Sequence, residues 1–242
     1  MGLFESAQPI VGDIARVHLL ERVLEIAANE KLNLLDVGCG DGSLWKPLLG
    51  NDNIELWGVD RDGERVKAAL AVFGEGKVKE GNIYDLSDLF AGLLFDVVVS
   101  TQVFSYVRNL RKGLREINKV TKIRGKLLFT IGLLKYHKSY RRLRRKLAGY
   151  LWEEHYYRYY DELELTELLN GAGFRVDDVR FHTVHPLKEI HDQIISPENK
   201  NRMLHKWKEM EDILISDPDF ALKGKPYCLG LYMEATKHGE AE

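Results

Sequence analysis

Leu32-Asn33-Leu34-Leu35-Asp36-Val37-Gly38-Cys39-Gly40-Asp41-Gly42 is the stretch on which the reading of this chain turns. Its first six residues form a short apolar run closed by glycines, the pattern of a buried strand. Gly38, Gly40 and Gly42 let the backbone turn tightly and approach a ligand closely. Ser43 reads as the cap of a helix running to about Leu49, with Pro47 near its first turn, where a missing N–H is tolerated. Amides at such a helix start point into the same space. Asp60 follows a second strand read over Ile54 to Val59. An acid at that place is positioned to accept both hydroxyls of a ribose.

Outward from this stretch the alternation repeats. Ile14 to Ala28 carries apolar residues at helical spacing: Ile14, Val17, Leu20, Val23, Leu24 and Ala27. After the second strand come a helix over Asp62 to Phe73, a short strand over Lys77 to Glu80 and a β-branched strand over Asp96 to Ser100. A helix over Leu110 to Val120, with Leu110, Leu114, Ile117 and Val120 on one face, leads through Gly125-Lys126 into a strand over Leu127 to Ile131. Later, Asp161 to Leu169 is a helix with Asp161 and Glu164 at capping-box spacing and Gly171 as its stop. Phe174 to Phe181 and Tyr227 to Ala235 are strands. Such alternation specifies a mainly parallel sheet with helices on both faces. The last two strands lack a crossover helix between them and are expected to pair antiparallel at one sheet edge.

Composition sets limits on this chain. Of 242 residues, 45% are hydrophobic, which is enough for a real core and excludes a disordered chain. The length suits one large domain. Lys plus Arg is 35 and Asp plus Glu 37, so the net charge of -2 does not indicate a globally basic nucleic-acid binder. Two distant cysteines, Cys39 and Cys228, do not make a disulfide scaffold. No stretch approaches the ~18 apolar residues of a membrane span. Met1 to Ser6 lacks the basic region and apolar core of a signal peptide. A cytoplasmic protein is the expectation.

The glycine spacing separates two nucleotide classes. Dinucleotide sites want Gly-x-Gly-x-x-Gly, so that the helix start holds a pyrophosphate. Here the third glycine comes one residue early, at Gly42, and Ser43 stands at the dinucleotide position. Asp36 and Asp41 repel an anion but not a ligand carrying an amine and a sulfonium. At this point the sequence resembles the class I S-adenosylmethionine-dependent methyltransferases. The first motif is Asp36 to Gly42 and the second-strand acid is Asp60. Glu80-Gly81-Asn82-Ile83-Tyr84-Asp85-Leu86 resembles the third-strand motif beside the adenine, with Asn82 where Asp is common. The Asn carbonyl can accept the same hydrogen bond. Phe95 to Gln102 resembles the fourth strand and its loop. Leu114 to Ile117 and Gly125 to Leu128 resemble the following helix and strand. Glu167 to Phe174 resembles the late helix-to-strand turn.

The resemblance implies a Rossmann-like doubly wound α/β fold with a seven-stranded sheet, mostly parallel with one antiparallel edge strand, plus helical lid insertions. It implies one domain over 1–242, with its core at about 30–132, 161–184 and 226–237 and insertions at about 133–160 and 185–225. The implied cofactor is S-adenosyl-L-methionine, released as S-adenosyl-L-homocysteine. The implied cofactor-binding residues are Asp36, Gly38, Cys39, Gly40, Gly42, Asp60, Arg61, Asn82, Ile83 and Gln102. Asp60 would take the ribose, Asp36 the amino end, Asn82 and Ile83 the adenine, and Gln102 would lie near the methyl.

Methyl transfer is an in-line displacement at an activated carbon, so the enzyme aligns a nucleophile and excludes water. A base helps only if the nucleophile arrives protonated. Ser100-Thr101-Gln102-Val103 lacks the Asp/Asn-Pro-Pro-aromatic signature of base and amide nitrogen methylases. Neither Cys39 nor Cys228 lies where a cytosine methylase has its cysteine. Between Lys135 and Tyr160, Tyr136, Tyr140, Leu143, Leu147 and Leu151 keep helical spacing opposite Lys138, Arg141, Arg142, Arg144, Arg145 and Lys146. That basic face reads either as an anion-recognising lid or as a solvated face. His155, among Tyr156, Tyr157, Tyr159 and Tyr160, is the candidate catalytic residue, as base or orienting donor. The tyrosines alternatively pack lid against core. Ser196-Pro197-Glu198 starts a helix whose stripe, Met203, Trp207, Met210 and Leu214, reads as packing. His182, His185, His191 and Asp192 match no familiar ligand spacing, and no metal site is expected.

The expected activity is methyl transfer to an oxygen or nitrogen of a small, anionic molecule. Two rivals stay open: an RNA methyltransferase using the basic 135–146 segment, and a non-catalytic cofactor-binding module. The partner is expected to be the small-molecule substrate, with the chain a monomer or homodimer.

Overall fold

In the computed structural model of this chain, β1 (Leu32–Val37) and β4 (Phe95–Thr101) lie side by side at the centre of one sheet. The structure describes residues 14–132, 158, 160–182, 209, 213, 216 and 230–241. The other described strands are β2 (Ile54–Asp60), β3 (Val78–Glu80), β5 (Thr121–Gly132), β6 (Phe174–His182) and β7 (Gly230–Lys237). The order across the sheet is β3-β2-β1-β4-β5-β7-β6. β1 to β5 pair in parallel, and β7 runs antiparallel to both β5 and β6. The antiparallel pair therefore lies at the sheet edge, but its antiparallel member, β7, sits one place in. The outermost strand, β6, runs with the parallel set.

Both faces of the sheet are covered, and the sequence of the central strands shows why. Leu35, Val37 and Val98 enter one apolar cluster, while Leu34, Val97 and Val99 enter the other. Successive side chains of a strand point to opposite faces, so a strand buried on both sides reads as an unbroken apolar run. α1 (Ile14–Ala27) covers one face with Leu19, Leu20, Val23 and Ala27. α4 (Leu110–Val120) covers the other with Leu110, Leu114, Ile117 and Val120. Between them in sequence, α2 (Gly63–Phe73) is capped by Asp62, and α3 (Leu86–Leu89) is a single turn. α5 (Glu162–Asn170) begins with Asp161 accepting from the Glu164 amide at 2.9 Å. The buried Glu234 of β7 ties three elements together, accepting from Arg22 Nε of α1 at 2.8 Å and meeting Lys126 Nζ of β5 at 2.6 Å.

Several local expectations are corrected. The helix read from Ser43 is a 3-10 segment, Ser43–Leu48, entered through Gly42 at φ 76° with no side-chain cap. Pro47 lies inside it and has no N–H to donate four residues back, which favours the tighter winding. β5 starts directly after α4 rather than at Leu127. Its pairing with β4 jumps from Phe95↔Thr121 to Val97↔Lys126, leaving a bulge that holds Arg124 at φ 65°. Short 3-10 turns at Ile83–Asp85 and Phe104–Tyr106 were not legible as periodicity.

The basic 135–146 segment, His155 and the Met203 to Leu214 stripe lie outside the described residues. The end of the first insertion is described. The Arg158 amide donates to the Ser105 carbonyl at 2.7 Å, and Tyr160 is buried in the core. Among the described residues no helix is long and apolar enough to cross a membrane.

Candidate functional site

The chain leaves β1 toward β2 and β3 on one side and returns to β4 and β5 on the other. That reversal opens a crevice at the carboxyl ends of β1 and β4, where open α/β sheets bind ligands. A cleft of about 1080 Å³ is found there, lined by the loops after β1, β2, β3 and β4. Nine of the ten residues expected to bind a cofactor line it: Asp36, Gly38, Cys39, Gly40, Asp60, Arg61, Asn82, Ile83 and Gln102.

Gly42 does not line the cleft, and the reason is its packing. A Cβ there would stand 2.9 Å from Phe73 Cε2, against α2. Gly38 is similarly closed, with a Cβ position 2.2 Å from Val103 Cγ2. Gly40, at φ 57°, is different: its Cβ position meets nothing within 4 Å. The motif therefore uses two glycines to pack its own loop and one to leave an open face.

The loop's amides are largely taken by the protein itself. Gly38 and Cys39 donate to the Val59 carbonyl at 2.8 and 3.1 Å, and Gly42 donates to the Cys39 carbonyl at 3.0 Å. Gly40 donates to Asp60 Oδ2 at 2.8 Å, and Ser43 to Asp41 Oδ1 at 3.0 Å. A pyrophosphate cradle needs such amides unengaged. The expectation that amides of a following helix would point at the ligand is corrected with them. The ends of β1 and β2, with the loops after them, instead bring Asp36, Asp41, Asp60 and Asp62 to the cleft wall.

Asp60 is fixed from both sides. Its Oδ2 accepts from Gly40 and its Oδ1 from the Asp62 amide at 3.0 Å. Each carboxylate oxygen keeps a further lone pair for a ligand hydroxyl. Asp36 is buried at the end of β1 and accepts from Trp45 Nε1 at 2.7 Å through Oδ2. Among the described residues nothing donates to its Oδ1. Burial pushes the Asp36 carboxyl up to about 7; Trp45 opposes the shift, Asp60 adds to it and Arg16 opposes it. Burial, with Asp36 and Asp60 nearby, also pushes the Cys39 thiol up, so it stays protonated and is no nucleophile at neutral pH.

The remaining wall comes from β3 and β4. Asn82 caps its 3-10 turn, accepting from the Tyr84 amide at 3.3 Å, while Ile83 is buried. Tyr84 Oη in turn accepts from the Asn109 amide at 2.9 Å, joining the loops after β3 and β4. Gln102 adopts φ 60°, held by its amide on the Thr130 carbonyl at 2.9 Å and its Nε2 near Thr130 Oγ1 at 3.4 Å. Ser100 turns inward to donate to the Val37 carbonyl at 3.0 Å and does not line the cleft.

Sequence reasoning missed Arg16, Val103, Tyr106 and Arg108, which also line the cleft, and Trp45 beneath it. For Trp45 a signal exists. A tryptophan in a short buried turn needs an acceptor for its indole N–H, and an aspartate on the preceding strand supplies one. Tyr106 ends a 3-10 turn and Arg108 follows it, and no periodicity marks either.

Comparison with known proteins gives a family. Residues 13–179 match the family model described as methyltransferase domain. The chain is 29% identical over 130 residues to malonyl-[acyl-carrier protein] O-methyltransferase of Acetivibrio thermocellus, covering 52% of this chain and 46% of that protein. It is 25% identical over 178 residues to ubiquinone biosynthesis O-methyltransferase of Rickettsia conorii, covering 70% and 61%. The matches thus span between about half and three fifths of these relatives' lengths. Among solved structures, Haemonchus contortus phosphoethanolamine N-methyltransferase 2 in complex with S-adenosyl-L-methionine superimposes with a TM-score of 0.59. That match has 17% identity and covers 98% of this chain and 55% of the other, which shows a shared fold.

Proposed function

The chain belongs to the methyltransferase domain family, and from that premise we propose that it moves the methyl group of S-adenosylmethionine to an oxygen or nitrogen of a small anionic molecule. The observation that carries the cofactor reading is the pairing of engaged loop amides with a wall of aspartates. Such a site refuses a pyrophosphate and suits a ligand that brings an ammonium and a sulfonium. The orphaned Asp36 Oδ1 and the open face of Gly40 fit the same ligand.

In this reading Asp60 accepts the ribose hydroxyls and Asp36 holds the amino end. Gly38, Cys39 and Gly40 let the backbone approach the ligand, with Gly42 closing their loop from behind. Asn82 and Ile83 flank the adenine, with the second lone pair of the Asn82 carbonyl as acceptor. Arg61 borders the ribose, and Gln102 faces the methyl. The bound cofactor supplies an electrophilic methyl carbon. The chain's own part is to orient the two reactants and exclude water. His155 is the residue proposed to orient the acceptor or take its proton.

An anionic acceptor is supported by Arg16 and Arg108, which line the cleft from α1 and the loop after β4. Two of the relatives are named for O-methylation, one of malonyl-[acyl-carrier protein] and one in ubiquinone biosynthesis, which supports a small acceptor group. Methyl-labelled S-adenosylmethionine, incubated with the protein and with separate metabolite, lipid and RNA pools, tests the proposal. Label is expected in an acidic small molecule. Label confined to RNA contradicts the acceptor class. A folded, cofactor-binding sample that transfers label to none of the pools supports the non-catalytic rival.

A further inference from the structure

Trp45 lies in the 3-10 segment after the first glycine loop, 1% exposed, and is not among the residues lining the cleft. Its indole N–H donates to Asp36 Oδ2 at 2.7 Å, inside the protein. The other oxygen, Oδ1, is buried and takes no hydrogen bond among the described residues, although Asp36 lines the cleft. A buried carboxylate with one oxygen clamped and one unmatched is costly unless a cation or donor completes it. We propose that Trp45 is a positioning residue that holds the Asp36 carboxylate as counter-ion for a ligand ammonium, so that cofactor binding below the carboxyl's midpoint releases up to one proton from the protein. The inference rests on the cofactor reading above and goes beyond it by naming the clamp and the proton.

The proton balance is simple. In the ligand-free protein the Asp36 carboxyl is protonated in part near neutrality, because burial pushes it up to about 7. The incoming ammonium requires the ionised form, and the proton leaves to solvent. The charged and titratable groups around Asp36 are Arg16 from α1, Asp60 from the end of β2, and Cys39 and Asp41 from the loop. Arg16 favours the ionised form, Asp60 disfavours it, and the Cys39 thiol stays neutral. Removing the Trp45 N–H takes away the hydrogen bond that most favours the ionised form, so the midpoint must move up.

Calorimetric titration with S-adenosylhomocysteine between pH 5.5 and 8.5 tests this. The thioether product lacks the sulfonium but keeps the ammonium. For the wild type, affinity should fall by up to about tenfold per pH unit below the Asp36 midpoint and level off above it. Trp45→Phe should move that midpoint upward while leaving the high-pH plateau within about threefold, since the indole does not touch the ligand. Asp36→Asn should bind at least tenfold more weakly at pH 8, with no midpoint in this range. A Trp45→Phe curve lowered equally at every pH would make Trp45 a packing residue only, and overturn the proposal. A second measurement uses only the wild type: titrations at pH 6.5 in buffers of different ionisation enthalpy should report net proton release. Zero release, or uptake, overturns the coupling even if Trp45→Phe does not fold. Absence of S-adenosylhomocysteine binding at any pH would instead fail the cofactor reading itself.

Discussion

Gly38→Ala is expected to lower stability by about 3 kcal/mol and to abolish measurable binding of S-adenosylhomocysteine. Two effects add. Gly38 sits at φ 80°, a left-handed conformation that a side chain opposes by about 1 kcal/mol or more. Its new methyl would also stand 2.2 Å from Val103 Cγ2, far inside contact distance. Val103 packs against the main core cluster and cannot simply swing away. The backbone must therefore shift, and with it the Gly38 and Cys39 amides on Val59, which set the loop's height over the cleft. Chemical denaturation measures the first effect and calorimetry the second. Gly40→Ala is the internal control. It shares the left-handed backbone, at φ 57°, but has open space where its methyl would go. Its stability should fall by only about 1 kcal/mol, while its methyl intrudes on the cleft and still weakens binding. Equal stability of Gly38→Ala and wild type would remove the packing argument.

Asp60→Ala should weaken S-adenosylhomocysteine binding by at least tenfold, because charge-assisted hydrogen bonds are each worth about 1.5–3 kcal/mol. The alanine also releases the Gly40 and Asp62 amides that the carboxylate now fixes, so the loop loses its tie to β2. Asp60→Asn separates these contributions. It keeps one acceptor oxygen but presents an NH₂ group where the carboxylate accepts from an amide, so it should fall between wild type and alanine. Titrating the three proteins side by side reads the order directly. An alanine variant that binds like wild type takes Asp60 out of the site.

The central sheet was legible because burial on both faces writes itself into sequence. Leu34, Leu35, Val97, Val98 and Val99 are apolar without alternation, and only a strand covered on both sides tolerates that. α4 was legible to the residue, since its buried stripe repeats at helical spacing. The Ser43–Leu48 segment misled the reading: a serine after glycine mimics a cap, whereas Pro47 and the left-handed Gly42 impose a tighter turn. The true start of β5 was hidden by its bulge, because Lys122, Arg124, Gly125 and Lys126 leave no apolar run before Leu127. At the site, the motif residues announced themselves by type and spacing, while their division of labour did not. Only the structure separates Gly42, packed on Phe73, from Gly40, open to the cleft. Arg108 reaches the site through tertiary contact alone, and a linear pattern holds no trace of that.

Equilibrium titration of the wild-type protein with S-adenosylhomocysteine and, separately, with NAD tests the central claim most directly. The engaged loop amides, the aspartate wall and the clamped Asp60 call for saturable one-to-one binding of S-adenosylhomocysteine at pH 8 and no detectable binding of NAD. A folded sample that binds NAD, or that leaves S-adenosylhomocysteine unbound, contradicts the account.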